Sequence, residues 1–248
     1  MAQMDVAKLD FIRLAVKAEA VRFGEFTLKS GRLSPYFFNA GLFNSGGSIK
    51  AVGDALSNRT HEIMRPENFD VFFGPAYKGI PLAVATSMQY FAIVGEEKGW
   101  VVNRKEAKGH GDKKGLVFGS ELKDGTNVLM LDDVFTTGDT KMEAISLLKS
   151  IADVNIVGVL ICLDRQEVNE NGENAIQMFV DETGIPVYSL LTATELFVAL
   201  YNVEIDGKVH VTHETIQKFL EYRAEYGVPD LSTGNGSATL GGFVVGNL

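Results

Sequence analysis

The chain has 248 residues, of which 46% are hydrophobic and 22% are charged, as in an ordinary globular protein that forms one decorated α/β domain or two small domains. Its 32 acidic and 23 basic residues give a net charge of −9, which argues against non-specific binding to nucleic acid or to an anionic membrane. The only cysteine, Cys162, cannot form an intramolecular disulfide, and no apolar run approaches the roughly 18 residues of a membrane span. A reducing cytoplasm is therefore the expected location.

The first part of the chain predicts helices around a short hairpin. Apolar residues at helical spacing predict a helix over 5–22, and a second helix is predicted over 48–64. Short strands are predicted at 26–28 and 36–38, separated by a turn containing glycine and proline. We expect residues 1–45 to form a small N-terminal helix and hood.

Buried strands alternate with helices in the remainder of the chain. The predicted strands cover 71–73, 100–102, 128–131, 156–163 and 187–190, and the predicted helices cover 80–90, 142–152, 192–201 and 213–226. This order predicts an α/β fold with a mainly parallel central sheet flanked by helices, in which ligands bind at the carboxyl ends of the strands. We expect the core to cover 46–228 and a Gly-rich C-terminal tail to cover 229–248.

The most informative motif follows the predicted strand 128–131. Asp132 and Asp133 come first, then a turn rich in hydroxyl groups at 136–140, and then a helix. Capping a helix would need only one such side chain. The N–H groups and positive dipole of a turn and helix start suit a phosphate, whereas the carboxylates suit sugar hydroxyls or a metal. A ligand with a phosphate next to a ribose diol satisfies both halves.

Three further segments each allow a structural and a functional interpretation. The basic, Gly-containing segment 104–111 is either a solvated loop or a mobile loop that closes over pyrophosphate and excludes water. Tyr77 and Lys78 lie in a glycine-flanked turn that is either an ordinary connection or an anion site. Arg165 follows a strand and is either a paired surface arginine or a fork onto a ligand carboxylate.

Other site classes are not supported. The sequence has no Walker-type glycine-lysine loop and no Gly-x-Gly-x-x-Gly after a strand. His210 and His213 lack Cys or His partners at zinc-like spacing, and His213 is predicted to cap the last helix.

The run 128–140 resembles the phosphoribosyl diphosphate (PRPP) motif of the type I phosphoribosyltransferases. The segment 26–39, with its lysine and its Ser-Pro-Tyr-Phe-Phe-Asn string, resembles the N-terminal segment of orotate phosphoribosyltransferases. The Tyr-Lys turn, the basic loop and the Asp-Arg-Gln-Glu string at 164–167 extend this resemblance over most of 5–226. Asp139 departs from the pattern, since family members often carry a small or hydroxyl residue there, and Leu33 replaces a residue that is often basic.

This resemblance implies a type I phosphoribosyltransferase fold and the Mg²⁺-dependent reaction of orotate with PRPP, which gives orotidine 5′-monophosphate and pyrophosphate in pyrimidine (UMP) biosynthesis. It also implies a homodimer with active sites shared across the interface, and neither a nucleic-acid nor a membrane partner. Mg²⁺ would be held mainly through PRPP, with Asp132 or Asp133 acting through water.

Residue roles follow from the same resemblance by matching positions. The implied catalytic residues are Lys29, Lys108, Asp132 and Asp133. The implied PRPP-binding residues are Lys29, Tyr77, Lys78, Arg104, Lys105, Lys108, His110, Asp132, Asp133, Val134, Phe135, Thr136, Thr137, Gly138, Asp139 and Thr140. The implied orotate-binding residues are Phe37, Phe38, Thr136 and Arg165, together with Lys29 and partly through main-chain groups.

Two alternatives stay open at this point. The first is a phosphoribosyltransferase for a purine or uracil, which would share the PRPP run but would not need Lys29 and Arg165 for a carboxylate. The second is a PRPP-sensing regulator without activity, which would be expected to lack the basic loop and to carry a basic face for nucleic acid.

Overall fold

The computed structural model describes residues 6–104 and 113–229. Its elements, in chain order, are α1 (Val6–Lys17), β1 (Val21–Thr27), β2 (Leu33–Phe38), α2 (Gly46–Ile63), β3 (Val71–Gly74), α3 (Gly79–Val94), β4 (Gly99–Asn103), β5 (Val117–Gly119), β6 (Asn127–Val134), α4 (Asp139–Lys149), β7 (Asn155–Asp164), α5 (Ala175–Thr183), β8 (Val187–Thr192), α6 (Ala193–Leu200), β9 (Glu204–Ile205), β10 (Lys208–Val209) and α7 (His213–Tyr226). The predicted α/β fold is confirmed.

The hood is a helix followed by an antiparallel hairpin of β1 and β2. The predicted helix over 5–22 is too long, because α1 ends at Lys17. Glu19 adopts a left-handed conformation with φ of 55°, which a helix cannot continue. The strand that follows, β1, contains β-branched and aromatic residues, which favour strands, and it pairs with β2.

The central sheet has six strands in the order β5-β4-β3-β6-β7-β8. All neighbouring pairs are parallel except β4 with the short edge strand β5. After β3, the next strand in the chain, β4, is added on one side of the sheet, whereas β6, β7 and β8 are added in succession on the other side. The crevice at the carboxyl ends of β3 and β6 is therefore the topological switch point, where ligands bind in open α/β sheets.

Side chains of β6 alternate between the two faces of the sheet, as the two-residue period of a strand requires. Leu129 and Leu131 join the apolar cluster that contains residues of α2, α3 and α6. Val128 and Met130 join the second cluster, which contains residues of α4 and α5. Because both faces are covered by helices, this strand is apolar from Val128 to Leu131, and the same alternation orients the two aspartates that follow.

Several boundaries differ from the predictions. β6 continues to Val134, so both aspartates lie within the strand. Helix α5 was missed in a segment predicted as a polar loop, because it is short and of its residues only Ala175 and Phe179 are buried. The short strands β5, β9 and β10 were also missed, and α7 is capped by Thr212 and not by His213. The division into hood, core and tail stays a prediction, and residues 230–248 lie outside the described residues.

Candidate active site

The two aspartates at the end of β6 point to opposite faces of the sheet, and each meets a lysine there. Asp132 Oδ2 accepts a hydrogen bond of 2.6 Å from Lys141 Nζ, in the first turn of α4. Asp133 Oδ2 accepts one of 2.5 Å from Lys78 Nζ, immediately before α3. The alternation explains the partners, since Val128 and Met130 lie on the α4 side of the sheet, as Asp132 does, and Leu129 and Leu131 lie on the α3 side, as Asp133 does.

Backbone N–H groups hold the other carboxylate oxygens. Asp132 Oδ1 accepts from the N–H of Asp133 at 2.8 Å, and Asp133 Oδ1 accepts from the N–H of Val134 at 2.9 Å. Burial raises the pKa of Asp132, and the opposing charge of Lys141 limits this rise. Both carboxylates are thus oriented in advance at the mouth of the switch point, and they retain lone pairs for further donors.

The turn between β6 and α4 presents polar groups outward on an apolar base. Phe135 is buried against Phe179, with ring centroids 5.4 Å apart. Gly138 has φ of 92°, and a Cβ there would lie 3.2 Å from the Phe135 ring. Thr136 and Thr137 are exposed, and no side chain caps α4, a helix that is described in full. The open helix start can accept an anion.

Asp139 is the one acid at this helix start. Its side chain is exposed, and its Oδ2 accepts a 2.6 Å hydrogen bond from Thr137 Oγ1. The acid is therefore tied to the turn itself, and its role in PRPP binding stays a prediction.

The turn after β3 lies across the crevice and is built on two glycines. A Cβ at Gly74 would lie 2.0 Å from the carbonyl oxygen of Gly79, and a Cβ at Gly79 would lie 2.6 Å from the ring of Pro75. No side chain fits at either position, so the turn depends on close backbone contact. It is tied to β4 by a 2.6 Å hydrogen bond from the N–H of Ala76 to Oδ1 of Asn103. Lys78 and Tyr77 project from it, and both are exposed.

Arg165, beyond the end of β7, is paired inside the protein. Its Nε and Nη2 lie 2.9 and 2.7 Å from Oε1 of Glu167, and Nη2 also donates to Ser34 Oγ at 3.0 Å. The guanidinium lies 4.3 Å from the centroid of the Tyr36 ring. The arginine and glutamate side chains are only 10% and 14% exposed. Arg165 is therefore paired, but inside the protein and not at its surface, and the pair links the hood to the core. The role of Arg165 toward a ligand carboxylate stays a prediction.

The predicted orotate-binding residues of the hood differ in how far their side chains are buried. Phe37 is half-buried beside Arg22 and Phe26, whereas Phe38 is buried against Phe43 in the core. Only main-chain groups of Phe38 are therefore available to a ligand. Lys29 is exposed in the turn between the two strands. Leu33, which departs from the family pattern, is 57% exposed and faces outward.

The basic loop is described only at its start. Arg104 follows β4, its guanidinium lies 4.8 Å from the centroid of the Phe118 ring, and its buried Nε has no hydrogen-bond partner among the described residues. Lys105, Lys108 and His110 lie outside the described residues.

The sequence interpretation missed Lys141, Asn103 and Glu167. Lys141 could have been found, because it shares the spacing of Ala144, Ile145 and Leu148, which form the buried face of α4. A lysine at an apolar position of an amphipathic helix requires a buried acidic or carbonyl partner. Asn103 carries no comparable signal, since its partner Ala76 comes from a different part of the sequence. Glu167 stands two positions after Arg165, and this spacing could have suggested the pair.

Other features of the described residues do not compete with this site. Within 6–104 and 113–229, no group of three or more acidic, histidine or cysteine side chains could hold a metal ion. A cleft of about 550 Å³ lies between the hood hairpin, β10 and α7, but none of the predicted site residues lines it. No helix of these residues is long and apolar enough to cross a membrane.

Comparison with known proteins gives concordant results. The phosphoribosyl transferase domain family matches residues 42–185. An orotate phosphoribosyltransferase of Agathobacter rectalis is 42% identical over 226 residues, covering 90% of this chain and 99% of the relative. One of Pseudomonas fluorescens is 43% identical over 225 residues, covering 91% and 100%. The crystal structure of the Francisella tularensis orotate phosphoribosyltransferase is similar with a TM-score of 0.73 and 34% identity, covering 88% of this chain and 99% of that one.

Proposed function

This chain belongs to the orotate phosphoribosyltransferase family, and we propose that the crevice between β3 and β6 is where it transfers 5-phosphoribose from PRPP to orotate. The reaction gives orotidine 5′-monophosphate and pyrophosphate and is a step of pyrimidine biosynthesis. The observation that carries the site assignment is the end of β6, where two oriented carboxylates adjoin an open helix start. The family assignment favours orotate over a purine or uracil, and an enzyme over a regulator.

The chemistry follows from charge. When the bond between the ribose C1 and pyrophosphate breaks, the sugar becomes electron-poor and the leaving group is anionic, so positioning and electrostatics dominate over covalent catalysis. The turn 136–140 would receive the 5′-phosphate on its N–H groups and hydroxyls. Asp132 and Asp133 would accept hydrogen bonds from the ribose hydroxyls, and the orotate carboxylate would meet Arg165.

Lys78 suits the leaving pyrophosphate. Its side chain is 48% exposed, whereas its partner Asp133 is 9% exposed. A lysine that is half in solvent can turn from a carboxylate toward an arriving anion without crossing packed side chains. Arg104, Lys105, Lys108 and His110 would add positive charge from the loop after β4.

Mg²⁺ fits this donor set as a shared ion. The carboxylates of Asp132 and Asp133 supply the hard oxygen ligands that Mg²⁺ prefers, but two residues do not enclose it, so PRPP oxygens and water would complete its shell. When bound, the ion would neutralise charge on the pyrophosphate. We expect EDTA to abolish turnover and added Mg²⁺ to restore it.

A homodimer with shared sites is part of the proposal. The outer face of α3 carries Met88 and Phe91, which are 62% and 53% exposed, at helical spacing from Pro81 and Ala92. An exposed apolar stripe next to the Lys78 turn is typical of a subunit interface. Sedimentation should give a dimer, and Phe91→Glu should give a monomer. Wild-type protein that sediments as a monomer at micromolar concentration would contradict this part.

The test of the function is a PRPP-dependent loss of orotate absorbance. Orotate, uracil, hypoxanthine and adenine are offered separately with PRPP and Mg²⁺, and only orotate should be consumed. Consumption of another base at a similar rate would contradict the assignment of the substrate. The expected cytoplasmic location stays a prediction.

Lys108→Ala tests the loop. Turnover should fall by about 100-fold or more, as for removal of one preorganised electrostatic contact, while the melting temperature stays the same because a polar loop contributes little packing. Lys123→Ala, a change at an exposed lysine remote in sequence from the loop, is the control. A melting-temperature drop that matches the loss of activity would count against a catalytic role.

A further inference from the structure

Lys141 is the least exposed charged side chain among the described residues of the site. It is 3% exposed, compared with 48% for Lys78. Its Nζ donates to Oδ2 of Asp132 at 2.6 Å and to the carbonyl oxygen of Val134 at 2.8 Å, and it lies 5.3 Å from the centroid of the Phe135 ring. An ammonium group has three donors, and these neighbours surround it. Lys141 therefore has no free side for a substrate.

The partners of Lys141 belong to the two halves of the proposed sugar site. Asp132 is at the ribose diol, and Val134 is the last residue of β6 before the phosphate turn. Lys141 itself lies in the first turn of α4, whose start is the other side of that turn. One ammonium group thus ties the strand end, the carboxylate and the helix start together.

Removing the ammonium group of Lys141 would leave the ligand-binding groups in the protein but hold them less firmly. Asp132 would keep one hydrogen bond, from the N–H of Asp133, which fixes one oxygen and leaves rotation of the carboxylate less restricted. The carbonyl of Val134 would lose its bond to α4. In metal sites, groups that hold a ligating side chain in place typically contribute 10- to 100-fold to affinity or activity although they do not touch the metal, and we expect a factor of the same order here.

We propose that Lys141 is a positioning residue, which sets the distance between the carboxylate that binds the ribose diol and the turn that binds the 5′-phosphate. This inference rests on the proposed function of the crevice. It predicts that every ligand with both a diol and a 5′-phosphate depends on Lys141, whereas ligands with only one of these groups, or neither, do not.

The test compares Lys141→Met with Lys149→Met, the same substitution at the exposed end of the same helix. In Lys141→Met, the KM for PRPP and the inhibition constant of ribose 5-phosphate should each rise about tenfold or more. The KM for orotate at saturating PRPP and the inhibition constant of pyrophosphate should stay within about twofold. Lys149→Met should match the wild type in all four constants.

A folded Lys141→Met protein with wild-type constants for PRPP and ribose 5-phosphate would overturn the inference, and so would equal losses for ribose 5-phosphate and pyrophosphate. If Lys141→Met does not fold, Lys141→Gln takes its place, because its amide still donates one hydrogen bond to Asp132. It should raise the same two constants by a smaller factor, and unchanged constants would again overturn the inference. Wild-type protein that does not consume orotate would refute the proposed function instead, and the two failures are thus distinguishable.

Discussion

Arg165 is expected to act in both stability and orotate binding, and the two contributions can be separated. Replacing it by methionine removes the nearest cation from buried Glu167 and leaves only Arg32, whose Nη1 lies 4.0 Å from Glu167 Oε2. Because both side chains are at least 86% buried, solvent does not screen the loss, and breaking such a pair costs about 3–5 kcal/mol. For a domain of this size, each kcal/mol lowers the melting temperature by about 2–4 °C. We therefore expect Arg165→Met to melt roughly 6–20 °C below the wild type.

The double variant Arg165→Met/Glu167→Gln removes the stranded charge. Replacing both partners of a buried pair by neutral groups of similar volume is often close to neutral, so most of the lost stability should return. Orotate binding should not return, since the guanidinium is still absent. Loss of a hydrogen bond between charged groups costs about 1.5–3 kcal/mol, so the KM for orotate should rise about 10- to 150-fold in both variants.

The assay is orotate consumption at saturating PRPP, combined with thermal melting. Arg59→Met is a control for the loss of a half-buried arginine elsewhere, because Arg59 lies on α2 and donates to the carbonyl of Ser189. Its KM for orotate should not change. An orotate KM in the double variant within about twofold of the wild type would refute the role of Arg165 in recognition and leave it as a hood-to-core link only.

Three further predictions concern the switch point and the pH dependence of stability. Lys78→Met should lower kcat/KM for PRPP by about 100-fold with an unchanged orotate KM, and an equal loss for both substrates would contradict a role at the pyrophosphate. Gly138→Ala and Gly125→Ala both put a side chain at positive φ, and each should lower the free energy of unfolding by about 1–2 kcal/mol. Only Gly138→Ala should also raise the KM for PRPP, because Gly138 lies in the proposed phosphate turn and only its Cβ would have neighbours within 4 Å. Burial raises the pKa of Glu195, but hydrogen bonds to its carboxylate outweigh this and lower the pKa below its ordinary value. Glu195 therefore stabilises the fold at a pH above its pKa in the unfolded chain, and this contribution is lost as the pH falls through its lower pKa in the folded protein. Glu195→Gln should flatten the acid side of a plot of stability against pH, and an unchanged slope would contradict this.

The sequence determined the fold class and most of the proposed site. Apolar runs that alternate with segments of helical period specify a parallel sheet covered by helices on both faces. A strand followed by two acidic residues and a hydroxyl-rich turn indicates the edge of that sheet where a ligand binds. Both patterns are local in the sequence, so they can be recognised without the tertiary structure. Asp132, Asp133, Lys78 and the turn 136–140 could be placed together on this basis alone.

The tertiary structure decided which groups these residues meet. That Lys141 serves Asp132 while Lys78 serves Asp133 depends on which face of β6 each helix covers, and that Arg165 is buried against Glu167 and Ser34 depends on how the hood packs on the core. Such partners are separated by up to 131 positions in the chain. These side chains pair because whole helices and strands pack together. Electrostatic attraction and burial depend on the distance between groups in space, and no local sequence pattern contains that distance.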